Sequence, residues 1–376
     1  MRCSFFVLQV QRSPLCHRQL ESELIEREVN HLPDFAKSEC IPAWVTEGSS
    51  GARRHHYYEM LGTTRRVRRW NMRGFALTKL RLDERGAVFG IEAELCTYGE
   101  NCLSSHLLGY QMLKDYEYRQ FDSEWNRTAP QLQWVSAGRE KHETEFSMLS
   151  KEPLFPLISV QALTFFRDQE DDEWNVVAMI RVENVAAASG FWQFPPAGGF
   201  EIYGREDEQS QHVLSQFDMR KAVLREFLEE IYGDADMACE SIDDASDHQD
   251  GSAGYQQAIK SIKRNLLSVH LMGVVTELIG FRSEFSFALF VEDLQLLELS
   301  YIVKMENGVE RQAKWLRGSY EGKRLIKVPV RELNKFARNK VWNPSSIGML
   351  KLMEETVNTP GNWVQEKYSD FPTFVL

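Results

Sequence analysis

At 376 residues the chain has room for two domains of ordinary core size, and its 43% hydrophobic and 26% charged content is that of a soluble globular protein. A net charge of −11 argues against non-specific binding of nucleic acid by the whole surface. Cys3, Cys16, Cys40, Cys96, Cys102 and Cys239 form no Cys-x-x-Cys pair and no zinc spacing, so they read as reduced thiols of a cytoplasmic protein. The apolar run Phe5–Leu8 is too short for a signal peptide, and no run reaches the length of a membrane span.

In chain order, Gln19–Asn30 reads as a helix with Leu20, Leu24 and Ile25 on its apolar side. Residues 53–73 collect Arg53, Arg54, His55, His56, Arg65, Arg66, Arg68, Arg69 and Arg73 among Tyr57, Tyr58 and Trp70. Such a mixture can hold phosphates or nucleic acid. No nucleic-acid motif accompanies it, so a solvated basic face is the plainer reading. Phe75, Leu77, Leu80 and Leu82 lead through Asp83–Gly86 to the alternating Phe89, Ile91, Ala93, Leu95 and Thr97, which predicts a hairpin. The first domain is therefore placed at 1–150, as a small α+β or β-rich unit.

The second domain is placed at 151–376. Leu157–Phe166 and Asn175–Arg181 read as a strand and its return around the polar turn Asp168–Glu173. Trp192–Glu201 reads as a strand breaking into a Pro/Gly loop. The helix that follows has Leu224, Phe227, Leu228 and Ile231 on one face. Glu226, Glu229 and Glu230 share another face, nearly opposite at about 100° per residue. Three like charges so placed repel one another, and a hard cation such as Mg²⁺ would relieve that repulsion. The alternative is a solvated acidic face.

Asp234–Gly254 is acidic with almost nothing to bury, and reads as a mobile insertion. Tyr255–Leu267 reads as a basic helix, and Val269–Leu278 and Phe285–Val291 as central strands. Glu277, Arg282 and Glu284 read as ordinary loop charge between these strands. Leu325–Val330 is expected at a sheet edge because Pro329 cannot donate to a ladder. A helix from Asn343–Ser345 to Glu355 is expected to use Ser345 as cap and to face Ile347, Leu350 and Met353 inward.

Gly198, Gly199 and the run Arg225, Glu226, Phe227, Glu229, Glu230 resemble the signature of the Nudix hydrolase superfamily. Three positions depart from it. The spacing from Gly199 to Arg225 is longer, Phe217 with Asp218 beside it stands where a glutamate is expected, and Gly233 arrives one residue late because Tyr232 intervenes. The resemblance implies an α/β/α sandwich with a mixed sheet. It also implies that Glu226, Glu229 and Glu230 hold Mg²⁺ or Mn²⁺ and activate water while Arg225 braces them. The expected reaction is hydrolysis of a pyrophosphate bond in a nucleoside diphosphate linked to another group. Gly198, Gly199 and Arg282 would meet the substrate, Glu277 or Glu284 would supply a further carboxylate, and Trp192, Phe194 or Phe200 would stack on a base or else belong to the core. Two rival readings stand beside it: a catalytically inert domain that senses a nucleotide or nucleotide-sugar, and a scaffold whose arginine segment binds nucleic acid. Oligomeric state and physiological substrate are not legible in the sequence.

Overall fold

The computed structural model describes residues 8–12, 21–25, 73–82, 88–106, 155–167, 172–180, 190–202, 216–232, 253–277, 282–293, 295–298, 302–306, 309–311 and 325–375. The arginine-rich residues 53–69 and the acidic segment 234–250 lie outside the described residues. Backbone proximity divides the chain into two units. The first holds Met1–Gln9, Leu20–Ile158 and Thr276–Ser283, and the second Val10–Gln19, Ser159–Val275 and Glu284–Leu376.

In the first unit β3 (Arg73–Leu82) and β4 (Val88–Thr97) pair antiparallel, as the alternating pattern predicts. Phe75, Leu77, Ile91 and Ala93 are buried between neighbours, while Glu92 takes Arg81 at 2.9 Å on the wetter side. Thr97 and Glu100 cap each other's backbone N–H across the first turn of the short helix α1 (Tyr98–Asn101). Asn101 and Ser104 then accept the N–H groups of Leu157 and Phe155, fastening the chain beside the hairpin. The expected helix at Gln19–Asn30 is overturned. Glu21–Ile25 forms β2, a strand parallel to β4. Its backbone bonds to a neighbouring strand, a partner that local periodicity cannot register.

The second unit is organised on a mixed sheet in the order β1-β9-β10-β5-β6-β13-β11-β12. The strands are β1 (Leu8–Arg12), β5 (Ile158–Arg167), β6 (Trp174–Ile180), β9 (Leu267–Glu277), β10 (Ser283–Val291), β11 (Ile302–Glu306), β12 (Val309–Arg311) and β13 (Leu325–Pro329). Two short strands join it: β7 (Trp192–Gln193) on β6 and β8 (Ala197–Gly199) on β5. β10 is buried throughout and β5 nearly so, which is why both read as largely apolar runs with few charges. β13 is not an edge strand, contrary to the expectation from Pro329. It lies between β6 and β11, and the proline is the last residue of its ladder with β6, where a missing donor costs little.

Successive residues of a strand point to opposite faces, and the two faces of β5 meet different helices. Val160 pairs with Gly198, which lies under Glu226 of helix α2 (Met219–Phe227). On the other face, the Gln161 amide donates to Ser345 O in the first turn of α6 (Pro344–Val357) and to Ser286 Oγ. Here the arrangement is helix, sheet, helix. Between α2 and α6 in sequence come α3 (Ala253–Lys263), α4 (Gln295–Glu298) and α5 (Leu333–Arg338). Helix α6 starts at Asn343 with Pro344 in its first turn, so the expected Ser345 cap is replaced. Leu350 and Met353 are buried as expected, while Ile347 is only half-buried.

The face opposite α2 is closed by rings from the last stretch of the chain, around helix α7 (Trp363–Lys367). Phe290 stacks on Tyr368 at 4.2 Å and on Phe165 at 5.2 Å, and meets Trp174, Trp363 and Phe371 edge-on. Among the described residues no helix is long and apolar enough to cross a membrane. Replacing Phe290 with Ala removes the ring at the centre of this cluster. Urea unfolding should show a loss of about 3–5 kcal/mol, and a loss below about 1 kcal/mol would contradict the packing described.

Candidate functional site

The site is built where β8 crosses the end of β5 and receives helix α2. The approach to β8 is fixed by backbone. Trp192 N–H donates to Val341 O and Asn343 N–H to Trp192 O, both at 2.8 Å, so residues 341–343 run beside β7. Pro196 O then accepts Ala162 N–H at 2.9 Å, and Pro195 O accepts the Thr164 hydroxyl at 3.1 Å. These bonds deliver Ala197, Gly198 and Gly199 onto β5 in the register Gln161, Val160, Ser159.

Helix α2 starts at Asp218, whose carboxylate accepts the N–H groups of Arg220 and Lys221. Asp218 is thus a helix cap, which is a local duty of its own. Leu224, Phe227, Leu228 and Ile231 are all buried, as the apolar face predicts. The acidic face is not solvated: Glu226 is only 8% exposed, and Glu229 and Glu230 are half-buried. Past Phe227 the helix widens into a π-helical turn, Leu228–Tyr232. Tyr232, the residue that delays the glycine of the motif, closes that turn.

The carboxylates are sorted by what they touch. Glu226 lies so close over Gly198 that a Cβ there would occupy the position of its carboxylate. The Arg225 guanidinium is ion-paired with Glu226 and donates to Gly199 O at 3.2 Å, joining helix and strand a second time. Glu230 accepts Ala197 N–H at 2.9 Å. Glu201, one residue past Phe200, stands against Gly199 and is the fourth carboxylate of the group. It lies outside the helical repeat, so periodicity does not single it out. The available signal was its position just after the glycine pair.

Burial pushes the Glu226 carboxyl up to about 7, against the pull of Arg225 and with added repulsion from Glu230 and Glu201. Burial also raises Glu229 well above the usual carboxylate range, and the charges of Glu226, Glu201 and Glu230 add to it. Four carboxyl groups are thus gathered beside one guanidinium, that of Arg225, among the described residues. Among the described residues no three His, Cys, Asp or Glu side chains are gathered closely enough to hold a metal ion. Glu226 is turned to Arg225, and Glu230 to a backbone N–H. The donor set nevertheless fits a hard divalent cation: it is all carboxylate oxygen and carries excess charge.

The remaining expected residues divide. Phe194 is fully buried and stacked on Trp342 at 4.5 Å, so its ring serves packing. Trp192 is 8% exposed, edge-on to Phe336 and covered by Lys340 Nζ at 5.0 Å. Phe200 is buried and stacks on Phe217 at 5.5 Å. Arg282 belongs to the first unit, where its charge acts on the buried Cys102. Glu277 ends β9 with its N–H on Arg282 O, and Glu284 is buried in β10.

No protein-family model matches the chain, and no curated protein matches it. Two solved structures resemble part of it. A MutT/nudix family protein from Enterococcus faecalis is 14% identical over 48% of this chain and 48% of that one, with a TM-score of 0.20. The chain thus spans about half the length of that protein. A NUDIX hydrolase from Alicyclobacillus acidocaldarius is 15% identical over 58% of this chain and 98% of that one, with a TM-score of 0.31. Overlaps of this size carry no argument about activity.

Two outcomes follow from the packing and the charge. Gly198→Ala must displace the Glu226 carboxylate. It should destabilise the chain by about 1–3 kcal/mol in urea titration, and an unchanged midpoint would contradict the contact. Glu229 is a raised carboxyl, so the folded chain keeps a proton that the unfolded chain releases. Its effect on stability is therefore neutral below the ordinary carboxylate range and turns unfavourable as pH rises through it. In metal-free buffer Glu229→Gln should melt a few degrees higher than the unaltered chain at pH 8, with the gap closing by pH 4. A gap independent of pH would contradict the charge argument.

Proposed function

We propose that this chain is a metal-dependent hydrolase of the Nudix type, cleaving a pyrophosphate bond in a nucleoside diphosphate linked to another group. The observation that carries the reading is the seating of Glu226 on Gly198 with Arg225 bound to both the carboxylate and Gly199 O. It brings the glycine strand and the acidic helix to one place, where charge is concentrated and partly shielded from water. Glu226, Glu229 and Glu230 would hold Mg²⁺ or Mn²⁺. A divalent ion bound there supplies Lewis-acid neutralisation of phosphoryl oxygens and a lowered pKa for bound water.

The residues themselves do the positioning. Arg225 holds the Glu226 carboxylate against the strand, and Ala197 N–H holds that of Glu230. A carboxyl as high as that of Glu226 can give or take a proton near neutral pH when no cation holds it.

A second reading, a nucleotide sensor without turnover, is favoured by one observation: the carboxylates of Glu226 and Glu230 are already engaged by protein donors. Calorimetric titration with Mg²⁺ and Mn²⁺, then incubation with dinucleotides, ADP-ribose and nucleotide-sugars, separates the two. The hydrolase reading expects metal binding and turnover that falls by at least about a hundredfold in Glu229→Gln and Glu230→Gln. Nucleotide binding with no turnover at any metal concentration would leave the sensor.

A further inference from the structure

We infer that the π-helical turn Leu228–Tyr232 is a positioning device that rotates Glu230 into line with Glu226, so that both carboxylates bear on the same strand. The inference rests on the hydrolase reading for its purpose, but its geometry stands apart from it. On a straight α-helix Glu226 and Glu230 are separated by about 6 Å of rise and about 40° of rotation. Here they meet neighbouring residues of β8, which a strand sets about 3.4 Å apart: Glu226 lies over Gly198, and Glu230 accepts Ala197 N–H at 2.9 Å.

A turn closed by i→i+5 hydrogen bonds holds more residues than one closed by i→i+4, so each advances by less than the roughly 100° of an α-helix. Glu226 lies in the α-helical part, and Glu229 and Glu230 lie in the widened turn. The underwinding takes back rotation between Glu226 and Glu230, which returns Glu230 toward the line of Glu226 and of β8. The buried side is kept through the change, since Leu228 and Ile231 are 0% and 1% exposed. A wider turn needs one more residue before the helix ends, and Tyr232 supplies it. What the sequence shows as a late glycine is therefore the cost of aligning two carboxylates on one strand.

The number of residues in the turn should matter and the phenol should not. The experiment compares the unaltered full-length chain, a chain with Tyr232 deleted, and Tyr232→Ala. It reads Mn²⁺ affinity by calorimetry and hydrogen exchange of the Ala197 amide by NMR in metal-free buffer. Deleting Tyr232 should weaken Mn²⁺ binding about 10- to 100-fold, the scale on which loss of a supporting contact acts, and should speed exchange at Ala197. Tyr232→Ala should match the unaltered chain in both.

Unchanged affinity and unchanged exchange in the deletion would overturn the inference, as would equal losses in Tyr232→Ala. If the unaltered chain takes no Mn²⁺, the hydrolase reading falls, and exchange at Ala197 still decides the role of the turn. If the deletion does not fold by circular dichroism, scalar coupling across the Ala197–Glu230 hydrogen bond in the unaltered chain decides. Its absence would overturn the inference.

Discussion

The arrangement of the second unit depends on a buried carboxylate placed against a residue with no side chain. Glu226 can lie over β8 because Gly198 has no Cβ, and its charge is tolerable there because Arg225 is bound to it. Arg225 is itself 5% exposed and needs partners of its own; Gly199 O is one. Strand and helix are thereby locked by a short chain of contacts between charged and backbone groups. The register of β8 on β5, the entry of residues 192–196 and the apolar face of α2 all serve to hold these groups together.

The same packing leaves an electrostatic imbalance. Glu201, Glu226, Glu229 and Glu230 come from two segments and, among the described residues, share the one guanidinium of Arg225. Burial weakens the solvent screening that would otherwise make such crowding harmless. Burial, with the neighbouring carboxylates adding to it, pushes the Glu226 carboxyl up to about 7, so a proton there, or a cation, relieves the imbalance. A purely structural helix gains nothing from that crowding. Perturbed acids gathered beside a glycine strand are a stronger pointer to chemistry than an acidic helix face alone.

Elsewhere the sheet is held by aromatic packing. Rings from β5, β6, β10 and the final helical segment close the face opposite α2, and Tyr368 joins them while bonding Ser268 at 2.6 Å. Trp192, Phe194, Phe336 and Trp342 form a second ring cluster at the entry to the site. Candidate base-stacking residues were thus drawn into the core. Large flat side chains bury the most apolar area wherever a strand meets a helix, so aromatic content near a loop does not distinguish a ligand platform from packing.

By itself the sequence determined the elements whose signal is local. The hairpin β3–β4, the buried strands β5, β9 and β10, and the apolar face of α2 follow from alternation or from a period of about 3.6 residues. It also determined which side chains carry charge next to the glycine pair. Only the tertiary structure decided what those side chains meet. It made Glu21–Ile25 a strand by giving it a neighbour, put β13 inside the sheet, and gave the start of α6 to Asn343. It buried Glu226 on a face that the helical wheel would leave in water, brought Glu201 to it, and gave the helix a π-helical turn at Glu230. Spacing records which residues share a face, but burial, pairing and the winding of one turn depend on what packs against that face, and those partners are remote in the chain.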